Sequence, residues 1–352
     1  MPLRLLAFVL GLFCFKIGFA AVALGQTEIA GLAGDGQVTI FYPSSDEPKL
    51  QRRGRLTLNL AAEGAVLLGN RRLVVISHGS GGSPWVHADL ARSLVEAGFI
   101  VALPEHRADN YKDGSDPGPD SWTRRPAEVS RAIDAVAKDP RFGPLLDLER
   151  VGVFGMSAGG HTALSLAGGE WSPARFRRHC DADLAADFQS CVGLAARLTG
   201  GPLDGFKLTI ARWVIRHRFS DERLRVDADP RIAAIVAGVP AAADFDLNSL
   251  ARPKVPLAII SAQRDLWLIP RFHSAAVLAG CESCEQLSDL SGGHGALLSP
   301  LPKLSGLLGD LLNDPPDYDR PTVTSDIDRK ITAYFSAHLL QAPVARAGTA
   351  PE

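Results

Sequence analysis

The sequence predicts an α/β fold in which a mostly parallel central sheet is flanked by helices. From about residue 37 onward, short apolar runs alternate with amphipathic stretches, which is the pattern of strands and crossover helices. Leu73–Ser77 is a continuous run rich in β-branched residues, as expected for a central parallel strand buried on both faces. The composition, 46% hydrophobic and 22% charged over 352 residues, is typical of a globular chain and excludes a disordered one.

The same patterns predict the order of the elements along the chain. Strands are predicted at 37–42, 55–60, 73–77, 99–104, 151–154, 232–239, 257–261 and 286–290. Helices are predicted at 85–98, 126–138, 158–167, 270–279 and 326–340. No internal repeat interrupts this alternation, so the pattern favours a single domain.

One segment, residues 170–229, breaks the alternation. It separates two predicted strands but is far longer than an ordinary connection between a helix and a strand. It contains apolar stretches with helical spacing at 184–198 and 206–215, followed by a basic run that ends at Arg218. Long excursions of this kind are either peripheral helical insertions or lids over a binding site, and the sequence leaves both open.

The first 25 residues have the composition of a secretory leader. Arg4 precedes an apolar stretch, and the segment ends in small residues with an A-x-A-like pattern at 21–23 or 23–25. Lys16 interrupts the apolar stretch, which favours a cleaved signal peptide over a membrane-spanning anchor. We therefore expect a signal peptide at 1–25, one domain at 26–341 and a disordered tail at 342–352. The protein is predicted to be periplasmic or secreted, without a stable membrane anchor.

The charge and the motif content exclude several functional classes. The formal net charge is −2, whereas a nucleic-acid-binding protein usually shows a strong basic excess. The chain has no phosphate-binding P-loop, no dinucleotide fingerprint, no HExxH and no zinc-spaced set of cysteines and histidines. Neither a cofactor nor a metal is therefore predicted, and the sequence leaves the oligomeric state open.

The five cysteines are an odd number, which needs an explanation in an exported protein. Cys14 lies within the predicted leader, so four cysteines remain after its removal. Their spacing predicts two local disulfides, Cys180–Cys191 and Cys281–Cys284, with free thiols and other pairings as alternatives.

A G-x-S-x-G motif at 155–159 predicts that Ser157 is a nucleophile. The motif directly follows a predicted strand and precedes a helical pattern, which is the context it requires. Small residues must flank the serine because the turn between strand and helix is sharp. The N–H of Ala158, at the start of the helix, can then face a developing oxyanion. A glycine-rich loop at 78–82 follows another strand, and the N–H of Ser80 is predicted to be the second oxyanion donor.

A nucleophilic serine needs a general base, and the base needs a carboxylate that orients it. His294 lies in a glycine-rich loop after the last predicted strand and is the predicted base. Asp265 follows the strand at 257–261 and is the predicted acid, which gives the chain order Ser, Asp, His. Asp244 is the alternative acid.

Together these residues resemble the α/β-hydrolase superfamily and, within it, bacterial predicted dienelactone hydrolases related to platelet-activating-factor acetylhydrolases. The resemblance covers about residues 37–340 and rests on short motifs at 77–82, 103–107, 124–129, 155–159 and 292–294. It implies the α/β-hydrolase fold, with a helical insertion after the nucleophile helix. Dienelactone hydrolases proper use a cysteine where this chain has Ser157, which speaks against that reaction. In the acetylhydrolase branch the acid often follows the preceding strand, where the nearest carboxylates here are Asp244 and Asp246.

From these features we expect a serine hydrolase that cleaves carboxylic esters through Ser157, His294 and Asp265 and an acyl-enzyme. The expected partner is a small-molecule or lipid ester. An alternative within the enzymes is a lipase, phospholipid acyl-hydrolase or polyester hydrolase whose lid is the segment 170–229. A non-catalytic binding module on the same fold is a further alternative, although the presence of all three residues argues against it.

Overall fold

The computed structural model describes residues 22–341. The β-strands are β1 (Ala23–Ile29), β2 (Val38–Ser44), β3 (Lys49–Arg53), β4 (Leu56–Ala62), β5 (Leu73–Ser77), β6 (Ile100–Pro104), β7 (Val151–Met156), β8 (Glu170–Trp171), β9 (Ile232–Gly238), β10 (Phe245–Asp246), β11 (Leu257–Ala262) and β12 (Glu285–Leu290). The α-helices are α1 (Ala88–Glu96), α2 (Pro119–Lys138), α3 (Ala158–Leu166), α4 (Pro173–Asp183), α5 (Phe188–Val192), α6 (Asp204–Arg218), α7 (Ser274–Gly280), α8 (Gly306–Leu312) and α9 (Arg320–Leu339). Most of the predicted leader and the whole predicted tail lie outside the described residues.

Ten of these strands form one central sheet in the order β12–β11–β9–β7–β5–β6–β2–β1–β4–β3. Each neighbouring pair from β12 to β6 is parallel. Strand β2 pairs antiparallel with β6, and β1 pairs antiparallel with β2. The predicted α/β architecture with a mostly parallel sheet is therefore confirmed.

Both faces of the central strands are buried against helices. In β5, Val74 and Ile76 belong to the core cluster that contains α1 and α9, whereas Leu73 and Val75 belong to the cluster that contains α2 and α3. This division follows from the alternation of side chains along a strand. Because both faces are covered, a site in this sheet forms at the ends of its strands.

Strand β1 begins inside the predicted leader. Ala23, Leu24 and Gly25 pair with Ser44, Pro43 and Tyr42 of β2, and Leu24 is buried. If a leader is cleaved and this strand stays intact, the cleavage lies before residue 23. That position is earlier in the chain than the predicted boundary at 25.

Several predicted helix boundaries were wrong; α9, for example, begins at Arg320 and not at residue 326. Helix α2 begins at Pro119 and continues through Pro126, where the prediction began. Within the predicted helical stretch at 184–198, the structure has only the short α5, because α4 ends at Asp183 and residues 184–187 form a turn. The start of α4 is explained by Ser172, whose hydroxyl accepts the N–H of Arg175 and caps the helix ahead of a proline at its first turn.

The segment 170–229 is a helical insertion that contains β8, α4, α5 and α6. Its two ends meet, because Trp171 in β8 pairs with both Phe245 in β10 and Arg225 near the end of the insertion. The predicted cysteine pairs are at disulfide-bonding distance, with S–S separations of 2.11 Å for Cys180–Cys191 and 2.06 Å for Cys281–Cys284. Within residues 22–341, the helices are too short or too polar to cross a membrane.

Candidate active site

Ser157 lies at a sharp turn between β7 and α3. Its backbone angles are φ 59° and ψ −118°, in a region that residues other than glycine rarely adopt. A Cβ atom on Gly155 would overlap the carbonyl oxygen of Gly159, and a Cβ atom on Gly159 would overlap that of Ser77. The motif therefore needs its two glycines because three stretches of backbone cross here, and this crossing brings Ser157 to the carboxyl edge of the sheet.

The side chains of Ser157, His294 and Asp265 form one hydrogen-bonded chain. His294 Nε2 lies 2.9 Å from Ser157 Oγ, and His294 Nδ1 lies 2.7 Å from Asp265 Oδ2. The other carboxylate oxygen, Oδ1, accepts the N–H groups of Trp267 and Leu268, each at 2.8 Å. Since the carboxylate accepts from Nδ1–H, Nε2 is left to accept a proton from the serine hydroxyl.

The loop that carries His294 is tightly packed. The ring of Trp267 lies beside the imidazole with a centroid separation of 5.2 Å. A Cβ atom on Gly295 would overlap the carbonyl oxygen of Leu312, so the loop passes directly against the C-terminal end of α8. His294 is 2% exposed and Asp265 is 3% exposed, so water has little access to the hydrogen bond between them.

The two predicted oxyanion donors border the cavity next to the serine. Ser80 and Ala158 both line the cavity into which Ser157 faces. Ala158 is the first residue of α3, so its N–H has no acceptor within the helix. Within residues 22–341, neither the N–H of Ser80 nor that of Ala158 donates to another protein group. Two unpaired donors beside a nucleophile are the arrangement that stabilises a developing oxyanion.

Asp244, the alternative acid, lies in a different contact. Its Oδ2 is 3.0 Å from Nε2 of His161, and both side chains are fully buried. Asp246 pairs instead with Arg175 at 2.7 Å. The structure thus brings Asp265 to the imidazole of His294 and keeps both alternative carboxylates away from it.

Sequence reasoning missed a buried ion pair under the Ser80 loop. Asp109 Oδ1 accepts the hydroxyl of Ser80 at 2.5 Å and the N–H of Gly81 at 3.0 Å. Asp109 Oδ2 accepts from Arg125 at 2.8 Å, and Arg125 also donates to the carbonyl oxygen of His78 at 2.6 Å. Arg125 lies in the 124–129 motif, but nothing in the sequence around Asp109 indicates this contact. The pair fixes both ends of the loop that carries the Ser80 N–H.

Two buried histidines complete this support. The Nδ1–H of His78 donates to the carbonyl oxygen of Gly79 at 2.7 Å. His106 Nδ1 lies 2.6 Å from Glu128, and the hydroxyl of Ser77 donates to His106 Nε2 at 2.8 Å. Burial lowers the pKa of both histidines well below the usual value, so both rings are neutral at pH 7. They hold the loop in place and are not candidates for the general base.

A cavity of about 540 Å³ lies over Ser157, and the insertion supplies most of its apolar lining. Its aromatic and branched lining residues from the insertion include Phe176, Phe188, Phe206, Ile210, Val214 and Phe219. Trp122 and Trp267 line it from the body of the protein. We call the polar surface around Ser157 and Ser80 the floor of the cavity, and the mostly apolar insertion at 170–229 the cap.

Comparison with known proteins adds no relative from which a function could be transferred. No protein-family model matches this chain, and no curated protein is significantly similar to it. Among the residues that the structure describes, no three or more histidine, cysteine, aspartate or glutamate side chains are grouped so as to hold a metal ion. The function must therefore be argued from the geometry around Ser157.

Proposed function

We propose that this chain is an exported serine hydrolase of the α/β-hydrolase fold that cleaves carboxylic esters. The observation that carries the proposal is the continuous hydrogen-bonded chain from Ser157 Oγ through His294 to Asp265, at 2.9 and 2.7 Å. The two unpaired N–H groups beside it, of Ser80 and Ala158, support the same reaction class. Export is supported by the two disulfides, which are rare in reducing compartments.

In the acylation step, Ser157 Oγ attacks the carbonyl carbon of the ester while its proton moves to His294 Nε2. The carbonyl oxygen becomes an oxyanion that accepts the N–H groups of Ser80 and Ala158. In comparable sites each such donor is worth on the order of 3 kcal/mol. Asp265 keeps the proton on Nδ1 and stabilises the imidazolium.

The tetrahedral intermediate then collapses. The bond from carbon to the alcohol oxygen breaks, and the leaving alcohol takes the proton from His294 Nε2, which leaves an acyl group on Ser157. A water molecule repeats the sequence: His294 accepts its proton, the hydroxide attacks the acyl carbon, and the proton returns to Ser157 Oγ as the acid departs.

Substitution of the nucleophile tests the proposal. Ser157→Ala is expected to lower hydrolysis of p-nitrophenyl butyrate by about 10⁴-fold or more, since no other hydroxyl is positioned on His294. A fluorophosphonate probe should label Ser157 in the wild-type chain and leave the variant unlabelled, as read by peptide mass spectrometry. Ser165→Ala, which removes a buried hydroxyl from α3, the helix that follows Ser157, is the matched control and should keep its turnover. Equal turnover in Ser157→Ala and the wild type would overturn the assignment.

The apolar cavity favours a second candidate within this class, an enzyme for long-chain acyl esters such as a lipase or phospholipid acyl-hydrolase. Phe188, Phe206 and Phe219 line the space above Ser157, and the charged residues of the lining are Lys207, Arg218 and Asp244. A series of p-nitrophenyl esters of increasing acyl length tests this alternative. A rise in kcat/KM with length supports it, and a preference for the acetyl ester contradicts it.

A further inference from the structure

Helix α6 and the residue before it present a continuous apolar strip to solvent, here called the α6 strip. It consists of Leu203, Phe206, Ile210, Trp213 and Val214, which are between 42 and 66% exposed. With 3.6 residues per turn, these five side chains fall within a sector of about 100° on the helix. Large apolar side chains scattered singly on a surface are ordinary, whereas a contiguous strip indicates a binding surface.

Basic residues border the α6 strip on both sides. On the same helical projection, Arg216 lies beyond Trp213 on one side of the strip, and Lys207 and Arg218 lie beyond Val214 on the other. Their side chains are 27 to 57% exposed, and each also faces a carboxylate of the protein. These carboxylates are Asp181, Asp204 and Asp116. The strip therefore offers an apolar contact to a docked surface, and the basic residues beside it would contact anionic groups on that surface.

The strip is continuous with the mouth of the cavity over Ser157. Phe206, Ile210 and Val214 are partly exposed on the strip and also line the cavity. Leu203 and Trp213 belong to the strip but not to the cavity lining. These three shared residues join the strip to the cavity in which Ser157 lies.

The helix is held firmly enough to act as a fixed surface. On its inner side Ile215 is buried, and Phe219 just beyond its end packs against Phe176 with a centroid separation of 5.3 Å. Arg216 binds Asp181 of α4 at 2.8 Å. Helix α4 is in turn bonded to α5 through the Cys180–Cys191 disulfide.

We propose that the α6 strip docks on a lipid surface that bears phosphate head groups, and that the enzyme takes its ester substrate from that surface. A helix with an apolar face, an exposed tryptophan and flanking arginines is the kind of element that lies in a membrane interface. In a dimer formed through two copies of the strip, basic flanks would face basic flanks, whereas head-group phosphates complement them. The identity of the substrate rests on the proposed ester hydrolysis, but the docking does not.

Vesicle flotation of the purified full chain tests the docking. Vesicles of phosphatidylcholine and phosphatidylglycerol should carry the wild type, and Leu203→Ser combined with Trp213→Ser should lower the bound fraction at least about tenfold. Leu50→Ser is the matched control, because Leu50 is 75% exposed on strand β3, and it should float like the wild type. Trp213 is the most exposed of the tryptophans within 22–341, so a blue shift of its fluorescence on vesicles should disappear in the double variant.

Activity separates the docking from the chemistry. The double variant should hydrolyse soluble p-nitrophenyl butyrate at the wild-type rate, because neither residue lines the cavity, but should lose at least about tenfold in rate on an ester embedded in vesicles. If the wild type floats but hydrolyses no ester, the docking stands and the proposed function fails. If it hydrolyses the soluble ester but does not float, the docking is overturned. A dimer in sedimentation that the double variant abolishes, without vesicle binding, would assign the strip to self-association and also overturn the docking.

Discussion

The floor and the cap of the cavity are built in opposite ways. On the floor, His294 and Asp265 are buried, the polar atoms of the triad are paired, and glycines such as Gly155 and Gly159 lie where no Cβ fits. In the cap, Ile215 alone is buried along the whole of α6, and large apolar side chains face outward. The floor is therefore fixed by contacts within the fold, whereas the outer face of α6 leaves large apolar side chains exposed to solvent.

The largest effect expected on the floor comes from the triad acid. Asp265→Asn should lower kcat for p-nitrophenyl butyrate by about 10⁴-fold, because the amide no longer holds the needed tautomer of His294 or stabilises the imidazolium. Asp244→Asn is the matched control: it changes a carboxylate that also borders the cavity but contacts His161, and its kcat should fall by less than about tenfold.

Steady-state kinetics of both variants distinguishes the two acids, with circular dichroism to show that each is folded. A larger loss of kcat in Asp244→Asn than in Asp265→Asn would contradict the geometry described for the floor. It would mean that Asp244 serves as the triad acid and that the side chains of the floor change their hydrogen-bond partners during the reaction.

The contrast between floor and cap also explains what could be predicted from sequence. The turn at Ser157 is crowded by its own neighbours, so the need for Gly155 and Gly159 is a local property that a short motif expresses. The contact from Asp109 to Ser80 joins two loops 29 residues apart, and no local pattern encodes it. Strand β3 was also missed, because its sequence, KLQRR, lies at an exposed edge of the sheet and carries no apolar run.

For the cap, periodicity indicated helices but not which side of each faces outward. Helix α6 has apolar residues on its buried and on its exposed side, so its sequence does not distinguish a core face from a docking face. The orientation follows from tertiary contacts, such as the one between Phe219 and Phe176.

A smaller effect on the floor is expected from the support of the oxyanion loop. Ser80→Ala keeps the backbone N–H of residue 80 but removes the hydroxyl that donates to Asp109, so the loop is held less tightly. We expect kcat to fall about 10- to 100-fold with KM little changed, since misplacement of a donor affects the transition state more than the bound ester. Affinity for a boronic acid transition-state analogue should fall in parallel with kcat. A loss of thermal stability without either change would mean that the contact supports the fold alone.

The cap is attached to the body through a buried carboxylate. Asp187 Oδ2 accepts from Nε2 of His179 in the cap at 2.8 Å and from Nε2 of His273 in the body at 3.1 Å. The N–H of Ala242 donates to His273 Nδ1, which leaves the proton of that ring on Nε2. Burial acts to raise the pKa of Asp187, but the hydrogen bonds that it accepts from His179 and His273 outweigh burial and lower the pKa to about 2.

The smallest expected effect is therefore on the attachment of the cap, and it depends on pH. The folded pKa of Asp187 lies below the unfolded value of about 3.9, so its contribution is fully present above about pH 5 and is lost as the pH falls toward 2. Asp187→Asn should lower the free energy of unfolding by about 1–2 kcal/mol at pH 6, and the difference should shrink toward zero near pH 2. Urea unfolding at a series of pH values measures it, with Asp183→Asn, a more exposed carboxylate of the same segment, as the control. If the difference in unfolding free energy between wild type and Asp187→Asn stays constant with pH, Asp187 stabilises the cap through packing and not through its charge.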